Sequence, residues 1–236
     1  ADNNTAVGKS ALTANTTGTT NTAVGSGSLD SNTTGSYNTG VGYHSLTAIT
    51  TGQQNTSIGY AAGQGCTGAS SFNVAVGDET LNTSGEKSYN TAIGSDAMRA
   101  TTTGADNVAI GYNAMASNTT GGNSVAIGAG ALDAVTTQGG NTAVGYAAAS
   151  LLTTTGVTAI GYQAMAVSTT GYDTVAVGYR ALTACTTGLS NVAVGFNALA
   201  TSTTASYNTA IGNGAGDNIT TGGQNVIIGY GAGTAA

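Results

Sequence analysis

A five-residue motif, Asn-Thr/Val-Ala-Val/Ile-Gly, recurs fourteen times along the 236-residue chain. Its glycines are Gly8, Gly25, Gly42, Gly59, Gly77, Gly94, Gly111, Gly128, Gly145, Gly161, Gly178, Gly195, Gly212 and Gly229. Eleven of the thirteen intervals are 17 residues; one is 18 (Gly59 to Gly77) and one is 16 (Gly145 to Gly161). A fixed period of this length is the signature of a repeat architecture, in which each unit buries its apolar surface only against its neighbours. The repeat covers residues 1–236 as a single array and leaves no room for a second domain.

Reading down the columns brings out the physics. The residue before each motif glycine is always β-branched: Val7, Val24, Val41, Ile58, Val76, Ile93, Ile110, Ile127, Val144, Ile160, Val177, Val194, Ile211 and Ile228. Such residues suit a pleated, half-buried strand, and this column is the expected core. Two positions earlier stands Thr or Val, on the same strand face. The residue between them is Ala in eleven copies, with Gly40, Ser57 and Ile227 as exceptions. So small a column implies that something approaches closely, either a second chain or the interior of the coil itself. A second apolar column follows four residues after the glycine, as in Leu29, Leu81, Met98, Met165 and Leu182. A Thr-Thr-Gly bend then leads to the next Asn, which tolerates corner conformations and can form a stacked ladder.

A helical hairpin is excluded, because 17 residues with two Gly and several Thr and Asn cannot sustain one. The pattern predicts an all-β fold: a parallel β-solenoid of fourteen coils of about 17 residues. The absence of Pro agrees, since each coil must donate backbone N–H groups to the next. The thin core and the small-residue strip together predict parallel chains packed as a homotrimer. The alternative is a monomer whose Ala strip faces its own interior. The end sequences lack polar capping repeats, so the chain is expected to be a segment of a longer fibre, a processed chain, or a unit that stacks end to end.

Written out, the repeat resembles those in the shafts of bacteriophage tail fibres. It is also similar to the head repeats of trimeric autotransporter adhesins, which carry the Val-Ala-Ile-Gly seen here at Val125-Ala126-Ile127-Gly128. The resemblance spans essentially the whole chain. It implies a left-handed parallel β-roll, trimerisation, an extracellular location and a role in attachment. The adhesin repeat is shorter, so the coil cross-section here must differ. A virion fibre and a cell-surface filament both remain open.

Composition narrows the chemistry. Four Lys plus Arg cannot neutralise a nucleic-acid backbone. No apolar run reaches the ~18 residues of a membrane span. With one His and scattered acids, no enzyme, metal site or cofactor is expected; His44 has no partner at ligand spacing. Cys66 and Cys185 lie seven repeats apart, roughly 33 Å at ~4.8 Å per coil, too far for a disulfide.

Three surface features remain. Tyr43, Tyr60, Tyr112, Tyr146, Tyr162, Tyr179 and Tyr230, with Phe196, follow motif glycines. They are candidate contacts for a host-surface glycan or receptor, or they simply cover coil edges. Tyr37, Tyr89, Tyr172 and Tyr207 form a second group near the bend. Thr arrays also suit ice binding, but that chemistry wants outward pairs at i and i+2, whereas the Thr-Thr pair is adjacent. Asp78, Glu79, Glu86 and Lys87 cluster in the irregular 18-residue repeat, read as a solvated turn.

Overall fold

A computed structural model describes residues 2–233. Ala1 and Thr234, Ala235 and Ala236, on which the end-stacking expectation partly rests, lie outside the described residues. The chain divides into two compact units, residues 1–122 and 123–236.

The first unit carries seven strands: β1 (Thr5–Val7), β2 (Thr22–Val24), β3 (Thr39–Val41), β4 (Thr56–Ile58), β5 (Val74–Val76), β6 (Thr91–Ile93) and β7 (Val108–Ile110). The second carries β8 (Val125–Ile127), β9 (Thr142–Val144), β10 (Thr158–Ile160), β11 (Val175–Val177), β12 (Val192–Val194), β13 (Thr209–Ile211) and β14 (Val226–Ile228). Within each unit every strand pairs in parallel with the next, motif position on motif position, as in Thr22↔Thr39 and Val175↔Val192. Each unit is thus a parallel β-solenoid with one short strand per coil. No helix occurs among the described residues.

The irregular repeats keep this register. Ser57 pairs with Ala75 across the 18-residue step, and Ala143 with Ala159 across the 16-residue step. The extra residue is taken up in the bend: Thr50 N–H bonds Gly68 O, one position later than the Thr33–Thr50 bond of a regular coil. The missing residue is likewise lost from a bend, where Asn141 Nδ2 bonds Thr154 O.

The core is the reverse of the one read from the β-branched column. Burial along a typical strand places the middle residue inside and its two neighbours outward. Ala23, Ala75, Ala109, Ala143 and Ala176 are fully buried. Val7, Ile58, Ile93, Ile127, Ile160, Ile211 and Ile228 are exposed. Val24, Val41, Val76, Ile110, Val144, Val177 and Val194 are half-buried. None of the fourteen is a core residue. The reason is volume. A Cβ added at Gly40 would lie 2.6 Å from Ser28 Oγ, too close for even a methyl group in that coil, and on the other strands the inward position holds only Ala or Ser57, apart from Ile227. The Ala strip therefore faces its own coil.

The Leu/Met column fills what remains. Leu29, Leu46, Leu81, Met98, Met115, Leu132, Met165, Leu182 and Leu199 are fully buried. All nine have φ near +52°, in the left-handed region. That conformation costs about 1–2 kcal/mol per residue. Burying the side chain returns roughly 1.5–3 kcal/mol, which is enough to hold it there.

Polar ladders complete the interior. In the first unit Oδ1 of Asn21, Asn38, Asn55, Asn73 and Asn90 each accepts the N–H of the next Asn in the column, at 2.9–3.2 Å. Their Nδ2 groups donate to corner carbonyls such as Gly35 O and Gly52 O. The second unit interrupts the ladder at Ser124, Val157 and Thr174, where hydroxyls substitute at two of the three positions: Asn141 N–H bonds Ser124 Oγ and Asn191 N–H bonds Thr174 Oγ1.

Candidate functional site

The face left for contact follows from the strand period. With Ala turned inward, Thr or Val and the following Val or Ile both point out, at i and i+2. In the second unit this pairs Thr142 with Val144, Thr158 with Ile160, Val175 with Val177 and Val192 with Val194, stacked coil on coil. No strand residue in either unit is ionisable. The outward i, i+2 pair thus exists, on the strand rather than on the Thr-Thr bend. The bend is spent internally: Oγ1 of Thr169, Thr186 and Thr203 each donates to the threonine carbonyl one coil on.

Beyond the motif glycine stands the aromatic column. Tyr43, Tyr60, Tyr112, Tyr146, Tyr162, Tyr179, Phe196 and Tyr230 are all exposed. The structure brings several together because equal repeats place equal positions one coil apart. Tyr146, Tyr162, Tyr179 and Phe196 form a ladder with centroids 5.3, 5.2 and 5.1 Å apart and planes within 15° of parallel. Tyr43 stacks on Tyr60 at 5.6 Å and meets His44 edge-on at 4.2 Å. Tyr112 follows a coil with Ser95 in this column, and Tyr230 follows one with Asn213, so neither has an aromatic on the preceding coil. Stacking withdraws both ring faces of Tyr162 and Tyr179 from any ligand. Within this ladder a sugar ring that packs against a ring face would find only the outer faces of Tyr146 and Phe196.

A second aromatic pair was not apparent from the sequence. Phe72 and Tyr89 stack at 4.9 Å and 4° on the opposite flank of the strands. Both occupy the left-handed position five residues before the motif glycine, with φ of 60°. Tyr37 and Tyr207 hold the same position; scanning that column would have found Phe72.

The charged cluster lies in the regular 17-residue coil that follows the 18-residue step, and it holds a buried cation rather than forming a solvated turn. Asp78, Glu79 and Glu86 stay at least partly accessible, but Lys87 is 1% exposed. It sits where other coils have the corner glycine, since Asn73 Nδ2 bonds its carbonyl as Asn90 Nδ2 bonds that of Gly104. Its Nζ donates to Thr83 O at 2.5 Å and to Thr101 O at 2.6 Å, tying successive coils together. Burial pulls the Lys87 ammonium below its ordinary range, an effect partly offset by Cys66. Burial pushes the Cys66 thiol up to about 11, with Lys87 drawing it back. Cys66 and Cys185 are both free and buried.

Among the described residues no group of three or more His, Cys, Asp and Glu could hold a metal ion. No helix among them is long and apolar enough to cross a membrane. The geometry defines a β-solenoid repeat protein. No family model matches the chain, and no curated protein or solved structure matches it.

Proposed function

We propose that this chain is a non-enzymatic structural segment of an extracellular fibre, the shaft or adhesive part of a phage tail fibre or cell-surface appendage, assembled as a homotrimer for attachment. The observation that carries the reading is the outer strand face. It repeats an uncharged Thr/Val and Val/Ile pair on every coil of each unit. Ile58, Ile127, Ile160 and Ile211 stand at least 37% exposed on it. Contiguous apolar surface of this kind marks an interaction site, and charge is depleted at the centre of such interfaces. A second copy offers the same repeat in the same register, so it can match the face coil for coil. The resemblance to fibre and adhesin-head repeats supports trimeric assembly and a location outside the cell. The action is mechanical: backbone ladders and a thin apolar interior hold a surface away from its anchor.

Analytical ultracentrifugation tests this. The expected native mass is that of three chains. Ile160→Lys with Val177→Lys places two charges on the outer face without touching the interior, and is expected to give a folded monomer. A wild-type monomer would remove the fibre reading.

A second reading shares the same face. The outward i, i+2 pairs, with Thr at Thr142 and Thr158, form the regular uncharged array that an ice surface requires. Thermal hysteresis in dilute solution, abolished by the same double substitution, would favour it. Hysteresis absent from a monomeric wild type would eliminate it.

A further inference from the structure

The aromatic ladders carry chemistry that neither reading uses. Tyr146, Tyr162 and Tyr179 hold their phenol rings 5.3 and 5.2 Å apart and nearly parallel. Tyr43 and Tyr60 do the same at 5.6 Å. The five residues are 43–55% exposed, so an oxidant in solution reaches them. We propose that these stacked pairs are modification sites, at which oxidation joins tyrosines on successive coils into dityrosine and staples coil to coil.

The chemistry balances with hydrogen peroxide and a haem peroxidase as oxidant. Each phenol loses one electron and its hydroxyl proton, giving a phenoxyl radical. Two radicals join through the ring carbons ortho to oxygen. The hydrogens on those carbons shift to the oxygens and restore both aromatic rings. Overall one carbon–carbon bond forms, one ortho C–H bond of each ring is lost, both phenolic O–H bonds are restored, and one hydrogen peroxide becomes two waters.

Geometry makes the coupling intramolecular. A radical on Tyr162 has a stacked phenol on either side, whereas a partner on a separate assembly must arrive by diffusion. Holding the two reacting groups side by side raises their effective concentration far above that of the protein. Phe196 ends the ladder chemically, because it stacks on Tyr179 at 5.1 Å but has no hydroxyl to oxidise. The chain has reason to use such a staple: both cysteines are buried and free, so no disulfide ties one coil to the next.

The test treats the intact chain, at low concentration, with a haem peroxidase and hydrogen peroxide, then maps bridged peptides by mass spectrometry. The expected products are intrachain links Tyr146–Tyr162 or Tyr162–Tyr179, and Tyr43–Tyr60, each with the loss of two hydrogen atoms. Tyr162→Phe keeps the ring stack but removes the phenol common to both pairs. It is expected to abolish the links in the second unit and leave Tyr43–Tyr60 intact. Tyr146→Phe with Tyr179→Phe is expected to do the same with Tyr162 present. The proposal is overturned by an absence of dityrosine, or by links only between chains on a denaturing gel. It is equally overturned by links in the second unit that survive Tyr162→Phe, or by equal yields from the unstacked Tyr207.

Discussion

Gly178→Ala is expected to lower stability by roughly 3–5 kcal/mol, from a strained backbone and an overpacked contact acting together. Gly178 has φ of +139°, outside the conformations of ordinary L-residues. An added Cβ would lie 2.3 Å from Gly195 O and 2.6 Å from Gly195 C. That neighbour is backbone and is held in place, because Gly195 N–H bonds Val177 O at 2.8 Å and Gly178 N–H bonds Ile160 O at 2.7 Å. Relief therefore requires β11 and β12 to separate. Gly130 supplies the control. Its φ of +66° is also left-handed, but no heavy atom lies within 4 Å of its added Cβ. Gly130→Ala is expected to cost only about 1–2 kcal/mol. Urea unfolding followed by circular dichroism compares the two, and hydrogen exchange should locate the lost protection at β11 and β12. Equal midpoints would mean that close approach between coils is not what requires glycine at the motif position.

This contrast shows what the sequence discloses and what it hides. Period and register were legible, because a β-branched residue before every motif glycine and an Asn four residues ahead of most of them admit little besides stacked coils. The Asn ladder follows from the same columns. The inward face was not legible from side-chain type alone. A three-residue strand offers Thr-Ala-Val in two orientations, and hydrophobicity favours turning Val inward. Interior volume decides otherwise: with Leu182 or Met165 already filling the coil, only a methyl group fits across from it. Ile227, 8% exposed in the inward position of β14, is the one bulky exception among the strands. The same inversion turned the Ala strip from an expected chain–chain contact into core, and moved the candidate interface to the Val/Ile side. The aromatic columns were legible as lists but not as pairs, because stacking depends on which neighbouring coil also bears a ring.

Lys87 is the residue whose environment departs furthest from its type, and its removal is expected to cost nearly as much as Gly178→Ala. Lys87→Ala deletes a fully buried stem and leaves Thr101 O, in a buried residue, without its donor. Cavity formation and the orphaned carbonyl together should cost roughly 3–5 kcal/mol. Lys87→Met keeps the stem and removes the cation. The lost hydrogen bonds then oppose relief of the ammonium's desolvation, so the net cost should be only about 1–2 kcal/mol. The pH dependence separates charge from packing. Burial lowers the folded-state pKa of Lys87 below 10.5, so between that lowered value and 10.5 the unfolded chain binds more protons than the folded one. Stability attributable to Lys87 must therefore rise with pH across that window. Cys66 acts in the opposite sense: its pKa rises from 9.0 to about 11 on folding, so its contribution falls as pH climbs through that range. Measuring both variants in a Cys66→Ala background isolates the lysine. In that background the urea midpoint of the parent should gain on that of Lys87→Met as pH rises toward 10.5. Parallel pH profiles would show that Lys87 holds the coils together as an ordinary charged donor, with no titration coupled to folding.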